Sequence, residues 1–255
     1  MKFALQFCQR VRHRQLQNRG LHMPPVEKTR SNDQWKYKLE HSEDLIKRAM
    51  TLYKPNELML CFNGGKDCTV LLDILAKIKP PSIPLRAVYV KSADPFEELE
   101  KFVDDCHNRY GLQLLRYEGV LKLAFEQLLA ENPQVKAMFL GCRRSDPGGL
   151  NLSEMLPCDN GWPAMMRIFP LLEWSYHDIW SYIRINNLPY CCLYDQGYTS
   201  LGDRSSTHLN PSLLAYDENL GKMTYRAAFE LEDTRMERVN RDEHDQGTMG
   251  ESKQQ

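Results

Sequence analysis

Leu58-Met-Leu-Cys-Phe-Asn-Gly-Gly-Lys-Asp-Cys-Thr-Val70 reads as a buried strand that breaks at two glycines and resumes as a helix. Leu58 to Phe62 is an apolar run of strand length, and Leu71, Ile74, Leu75 and Ile78 fall at i, i+3, i+4 and i+7 of a helix. Gly64 and Gly65 sit at the joint. Glycine there permits positive φ and close approach of the backbone, so N–H groups of the turn and first helical turn point at phosphate oxygens. Lys66 adds charge, and Asn63, Asp67 and Thr69 surround the same turn. A bare Gly-Gly pair is more often only a strand-to-helix turn, but the polar residues gathered around this one argue for a ligand site. The spacing is neither that of a Walker loop nor that of a dinucleotide fingerprint.

Downstream, Pro80-Pro-Ser-Ile-Pro84 is a breaker and Leu85 to Val90 a second strand. Ser92-Ala-Asp-Pro95 opens a helix with Pro95 at its first position, Glu97 and Glu98 in the first turn and Gly111 at its end. Leu112 to Leu115 reads as a third strand, Leu121 to Leu129 as a helix and Lys136 to Leu140 as a fourth strand. Upstream, Asn32 to Tyr53 reads as a helix packed on the core. Such β-α alternation requires a mostly parallel sheet covered on both faces, a doubly wound α/β fold.

Ligands of such sheets bind beyond the carboxyl ends of the strands, where strand order reverses. The fourth strand ends in Gly141-Cys-Arg-Arg-Ser-Asp-Pro-Gly-Gly149, and no element is convincing from there to Met165. Arg143 and Arg144 are either a solvated pair or anion ligands. Asp146 is either a turn former before Pro147 or a carboxylate facing Mg²⁺, which binds through one or two carboxylates plus phosphates. Arg167 to Phe169 reads as a fifth strand, and Ser175-x-x-Asp178 as a capping box opening a helix through Asn186. Trp162 follows Asp159-Asn-Gly161 and is placed to line a pocket for a flat ring. Near the C-terminus, Arg235, Arg238 and Arg241 share one side if their stretch is helical; the ordinary reading is a solvated charged tail.

The 255 residues suit one large domain with tails, and the net charge of −1 gives no global pull towards nucleic acid. Cysteines 8, 61, 68, 106, 142, 158, 191 and 192 form no C-x-x-C pair and read as reduced intracellular thiols. No apolar stretch approaches membrane-spanning length. Met1 to Val26 is basic and acid-free, which makes it either a mitochondrial presequence or a basic tail. The expected organisation is 1–31 as this basic end, 32–215 as a nucleotide-binding α/β domain and 216–255 as an arginine-bearing tail. A cytoplasmic protein is expected, or a mitochondrial one if the basic end is a presequence.

Asn63-Gly-Gly-Lys-Asp-Cys-Thr69 resembles the pyrophosphate loop of the adenine-nucleotide alpha-hydrolase superfamily. Further motifs narrow the resemblance to eukaryotic FAD synthases (FMN adenylyltransferases) related to PAPS reductases. They are Gly141-x-Arg-Arg-x-Asp-Pro147, Gly161-Trp-Pro-Ala-x-Met-Arg167, Pro170-Leu-Leu-x-Trp-Ser-Tyr176, and Pro189-Tyr-Cys-x-Leu-Tyr-Asp-x-Gly-Tyr-Thr-Ser-Leu-Gly202 with Asn210-Pro211.

The resemblance implies transfer of AMP from ATP to FMN, giving FAD and pyrophosphate with Mg²⁺, on a doubly wound sheet with a C-terminal flavin-specific extension. It implies Phe62, Asn63, Gly64, Gly65, Lys66, Asp67, Thr69, Gly141, Arg143 and Arg144 at the ATP phosphates, with adenine beside Tyr89, Val90 and Ser92. Flavin is expected at Asp146, Asp159, Trp162, Arg167, Tyr194, Tyr198 and Arg204. The expected catalytic group is Asn63, Asp67, Asp146, Arg238 and Arg241, with Asp146 on the metal. The arginines match a Glu-Arg-x-x-Arg element whose usual glycine before the second arginine is here Asn240. FAD-accepting apo-flavoproteins are expected partners, without nucleic acid or membrane. Rival readings are a sulfonucleotide reductase, whose C-terminal Glu-Cys-Gly-type motif is missing, a tRNA-modifying ATPase without a basic stripe, and an inactive flavin-binding module.

Overall fold

A computed structural model of the protein describes residues 31–158 and 161–242. The basic stretch Met1 to Val26 and Asp159 lie outside the described residues. Of the described residues, those from 38 onward form one unit, and it holds the entire sheet.

Six strands run in the order β3-β2-β1-β4-β6-β5. They are β1 (Leu58–Cys61), β2 (Arg86–Lys91), β3 (Gln113–Glu118), β4 (Ala137–Phe139), β5 (Met155–Pro157) and β6 (Met166–Ile168). All neighbours are parallel except β5, which runs antiparallel to β6 at the edge. Leu58, Met59 and Leu60 are all buried, as a central parallel strand covered on both faces requires. Helix α1 (Ser31–Leu52) precedes β1, and α2 (Lys66–Ile78), α3 (Glu97–Tyr110) and α4 (Leu121–Glu131) connect the first four strands, with α5 (Tyr176–Ile185) after β6.

Most strand ends shift by one to three residues, as in β3, which runs to Glu118 rather than Leu115, and three further features depart from the sequence reading. Met155–Pro157 is a strand inside the run where none is expected, because three residues are too short to show alternation and only pairing with β6 defines them. Helix α3 starts at Glu97 with Phe96 as its cap, so Pro95 lies outside it; the extended Phe96 backbone lets its ring sit buried against Tyr198. The stretch bearing Arg235, Arg238 and Arg241 is a single 3-10 turn, Thr234–Met236, followed by irregular chain. Asp233 accepts from the Arg235 N–H at 3.1 Å, a local bond that competes with helix.

The capping box forms as expected. Ser175 Oγ accepts from the Asp178 N–H at 3.2 Å, and the Asp178 carboxylate accepts from the Ser175 N–H at 2.7 Å. Gly111 ends α3 at φ +58, and Gly64 takes φ +74 between β1 and α2, conformations that side chains rarely adopt. Gly65, at the α2 N-cap, has φ −67, which any residue adopts. Beyond α5, short 3-10 turns lead to a hairpin of β7 (Leu214–Asp217) and β8 (Lys222–Tyr225). Among the described residues no helix is long and apolar enough to cross a membrane.

Candidate active site

Strand β1 has β2 on one side and β4 on the other, so the chain order reverses between β1 and β4 and opens a crevice at their carboxyl ends. A cavity of about 230 Å³ lies there. Asn63, Gly65, Lys66 and Asp67 line it from the first loop, Gly141, Arg143 and Asp146 from the second, Arg167 from β6, and Tyr194, Glu237 and Arg238 from the C-terminal extension. The two loops touch closely: a Cβ on Gly141 would stand 3.0 Å from Cys68 Sγ and 3.1 Å from Cys68 N. Cys68, pushed up to about 12 by burial, also meets the N–H groups of Asn63 and Gly141. It is a buried thiol that ties the loops together.

Five charged groups meet in this crevice. Arg143, 1% exposed, donates from Nη2 to Asp146 Oδ1 at 2.7 Å and to Glu237 Oε1 at 2.7 Å, and its Nε lies 2.9 Å from Asp67 Oδ1. Lys66, 3% exposed, reaches Glu237 Oε1 at 2.6 Å and Asp67 Oδ2 at 3.1 Å. Burial alone would disfavour both cations. The carboxylates outweigh it and hold both pKa values above the ordinary range, Asp67 leading for each and Glu237 next. Burial raises Asp67 as well, but Arg143 and then Lys66 outweigh it and keep its carboxyl below the usual range. For Asp146 burial wins and the carboxyl is raised, even though Arg143 pulls the other way.

Several expected residues take a different role. The Lys66 ammonium is occupied by two carboxylates and lies 5.2 Å from the Tyr176 ring, so it is a buried charge within the wall. Asp146 takes the turn-forming role: Oδ2 accepts from the Arg143 N–H at 2.8 Å, and its own N–H donates to Arg143 O at 3.1 Å. The Thr69 hydroxyl donates to Gly65 O at 2.8 Å inside the helix. Two loop N–H groups expected to face phosphate are bonded within the protein, Gly65 N to Asn63 Oδ1 at 2.9 Å and Lys66 N to Tyr194 Oη at 3.0 Å. Tyr194 thus caps α2 through its hydroxyl while its side chain lines the cavity.

Other expected residues lie off the cavity wall. Arg144 turns to Glu173 and to the carbonyls of Leu150 and Leu152, clamping its own loop. Tyr89 is buried with its hydroxyl on Glu100, and Val90 pairs in the ladder with β3. Phe62 is buried and continues the β1–β2 ladder, while Ser92 is half-buried just past β2. Trp162 packs on Phe125, Tyr198 on Phe96, and Arg204 pairs with Asp94 at 2.9 Å. Glu237, which anchors both cations, carried no signal beyond its place beside Arg238. Arg241 is also off the wall, its chain bridging to Thr207. Hence Arg238→Ala should lower kcat at least about tenfold while Arg241→Ala changes it far less. Equal losses in steady-state assays would place both on the reacting phosphates.

The phosphoadenosine phosphosulfate reductase domain model matches residues 57–124 and 115–209. A Schizosaccharomyces pombe protein named probable FAD synthase is 39% identical over 215 residues, 80% of this chain and 78% of that protein. The chain belongs to the FAD synthase family. A Caenorhabditis elegans relative, also named probable FAD synthase, is 36% identical over 80% of this chain, which spans 40% of that longer protein. The crystal structure of Candida glabrata FMN adenylyltransferase with FAD and inorganic pyrophosphate superposes with a TM-score of 0.77 at 27% identity, covering 85% of this chain and 92% of that one. Within this FAD synthase family member, Cys191 is buried against Cys192 and is no exposed reductase nucleophile.

Proposed function

We propose that the protein joins AMP from ATP to the phosphate of FMN, releasing pyrophosphate and forming FAD. The observation that carries this reading is Arg143. It is buried at the switch point among three carboxylates, and its Nη1 has no hydrogen-bond acceptor among the described residues. A guanidinium held that way in the wall of a cavity at the carboxyl ends of parallel strands suits a phosphate oxygen. The FMN phosphate is already ionised, so attack on the α-phosphorus needs no strong base. Repulsion between anions is the obstacle, and positioning plus fixed positive charge overcomes it. In this proposal the Gly64-Gly65 turn faces the ATP phosphates, and adenine lies at the carboxyl end of β2 near Ser92. Flavin lies along the loop through Trp162 to Arg167, and Arg238 faces the leaving pyrophosphate.

Mg²⁺ belongs to the same proposal. Asp67 Oδ1 is buried 2.9 Å from Arg143 Nε without an aligned hydrogen bond, and a hard cation takes such an oxygen together with phosphates. Among the described residues no group of three His, Cys, Asp or Glu is placed to hold a metal alone, so the ion would arrive with the nucleotide and neutralise its charge. Asp67→Asn should raise the Mg²⁺ concentration for half-maximal rate severalfold, whereas Asp146→Ala should mainly lower the melting temperature. An unchanged Mg²⁺ dependence in Asp67→Asn would leave that carboxylate a purely structural part.

Incubation with FMN, ATP and Mg²⁺ tests the reading directly, with FAD as the expected product and none from riboflavin, which lacks the attacking oxygen. Thiol-dependent sulfite release from PAPS without FAD formation would assign the reductase activity instead. FAD-accepting apo-flavoproteins are the partners such a product implies. A cytoplasmic location, or a mitochondrial one set by residues 1–26, is proposed from composition alone.

A further inference from the structure

Glu237 is 171 residues from Lys66 in sequence, yet its carboxylate lies at the centre of the crevice. It is 7% exposed, accepts from Lys66 Nζ at 2.6 Å, and takes Arg143 Nη2 on both oxygens, at 2.7 and 2.9 Å. An acid in the wall of a triphosphate site opposes the ligand's charge, so its place there calls for a reason.

Its backbone supplies one, because it is fixed. Thr199 Oγ1 donates to Glu237 O at 2.6 Å, and Asn210 Nδ2 donates to Met236 O at 2.8 Å. The Asn240 amide donates to Ser200 O at 2.9 Å and His208 O at 3.0 Å. Thr199, Asn210 and Asn240 are themselves buried. A glycine at 240 would forfeit the last two of these bonds. The segment carrying Glu237 and Arg238 is thus a pinned strap rather than a mobile closure.

The geometry points to Glu237 as a positioning residue for the proposed adenylyl transfer: it orients the Arg143 guanidinium, takes up the Lys66 charge, and leaves Arg143 Nη1 for the reacting phosphate. Asp146 and Glu237 both use Nη2, and Asp67 lies beside Nε, so the planar fork is set from two edges, while Nη1 has no hydrogen-bond acceptor among the described residues. A guanidinium held in place before the ligand arrives requires little reorganisation during the reaction, which is where such a residue contributes. This inference rests on the FAD-forming reading above.

The test compares Glu237→Gln with the parent full-length chain, measuring FAD formation, ATP affinity by calorimetry and melting temperature. A misplaced donor costs on the order of 30- to 100-fold in kcat. ATP affinity should be unchanged or tighter, because a negative charge has been removed from the wall. In an Arg143→Lys background the same change should have little further effect on kcat, since the two act as one unit. A kcat within about twofold of the parent, or ATP binding lost in step with kcat, overturns the proposal. Should Glu237→Gln not fold, Glu237→Asp keeps the charge one methylene short. Reduced kcat with retained ATP binding then supports the positioning role, and parental kcat overturns it. No FAD from the parent chain would instead overturn the functional reading on which this inference stands.

Discussion

Replacing Arg143 with alanine is expected to abolish FAD formation and to lower stability by about 3 to 5 kcal/mol, the usual cost of removing one partner from a buried charge cluster. Asp67, Asp146 and Glu237 all face this guanidinium, and Lys66 reaches only two of them. Without Arg143, Asp146 keeps no buried cation at ion-pair distance among the described residues. Two of the three carboxylates would share one ammonium in a site where burial already raises the Asp146 carboxyl. The two effects separate experimentally: assays well below the melting temperature read catalysis, and denaturant unfolding reads stability. Arg143→Lys should restore part of the stability but little of the turnover, because an ammonium cannot span three carboxylates and still face phosphate. A folded Arg143→Ala protein that makes FAD at the parental rate would remove the arginine from the reaction.

Gly65→Val is expected to weaken ATP binding at least about a hundredfold, ~2.7 kcal/mol, with the fold retained. The backbone at Gly65 has φ −67, so valine meets no conformational barrier there. Its Cβ would stand 3.0 Å from Asn63 Oδ1 and 3.8 Å from Tyr194 Oη, inside the turn where the phosphates are proposed to lie. The loss is steric occlusion of the ligand, and stability changes only by the weak preference against valine at an N-cap, about 1 kcal/mol. Gly64 supplies the contrast. At φ +74, with a Cβ 2.9 Å from Leu99 Cδ1 and Val103 Cγ2, it resists substitution for reasons of folding rather than binding. Unchanged ATP affinity in Gly65→Val, measured by calorimetry, would take this turn out of the binding site.

The strand, Gly-Gly turn and helix at 58–78, the β-α alternation after it and the Ser175 capping box were legible because each depends on periodicity or spacing within a few residues. The two charged strand ends could also be assigned to one site from sequence, since a parallel sheet brings its carboxyl ends together. Side-chain roles were less legible. Asp146 reads first as a metal ligand with a turn former as the alternative, and only the packed loop shows both oxygens on Arg143. Lys66 looks like a phosphate ligand until Glu237 and Asp67 are found on its ammonium. Tyr194 suggests a flavin contact, and only the packed structure shows that its hydroxyl also caps α2. By itself the sequence determined the α/β sheet, the switch-point crevice and most of the groups that reach it. The tertiary structure alone decided which of those charges pair with one another and that Glu237 closes the cluster, because a contact across 171 residues is chosen by chain packing and leaves no local pattern to read.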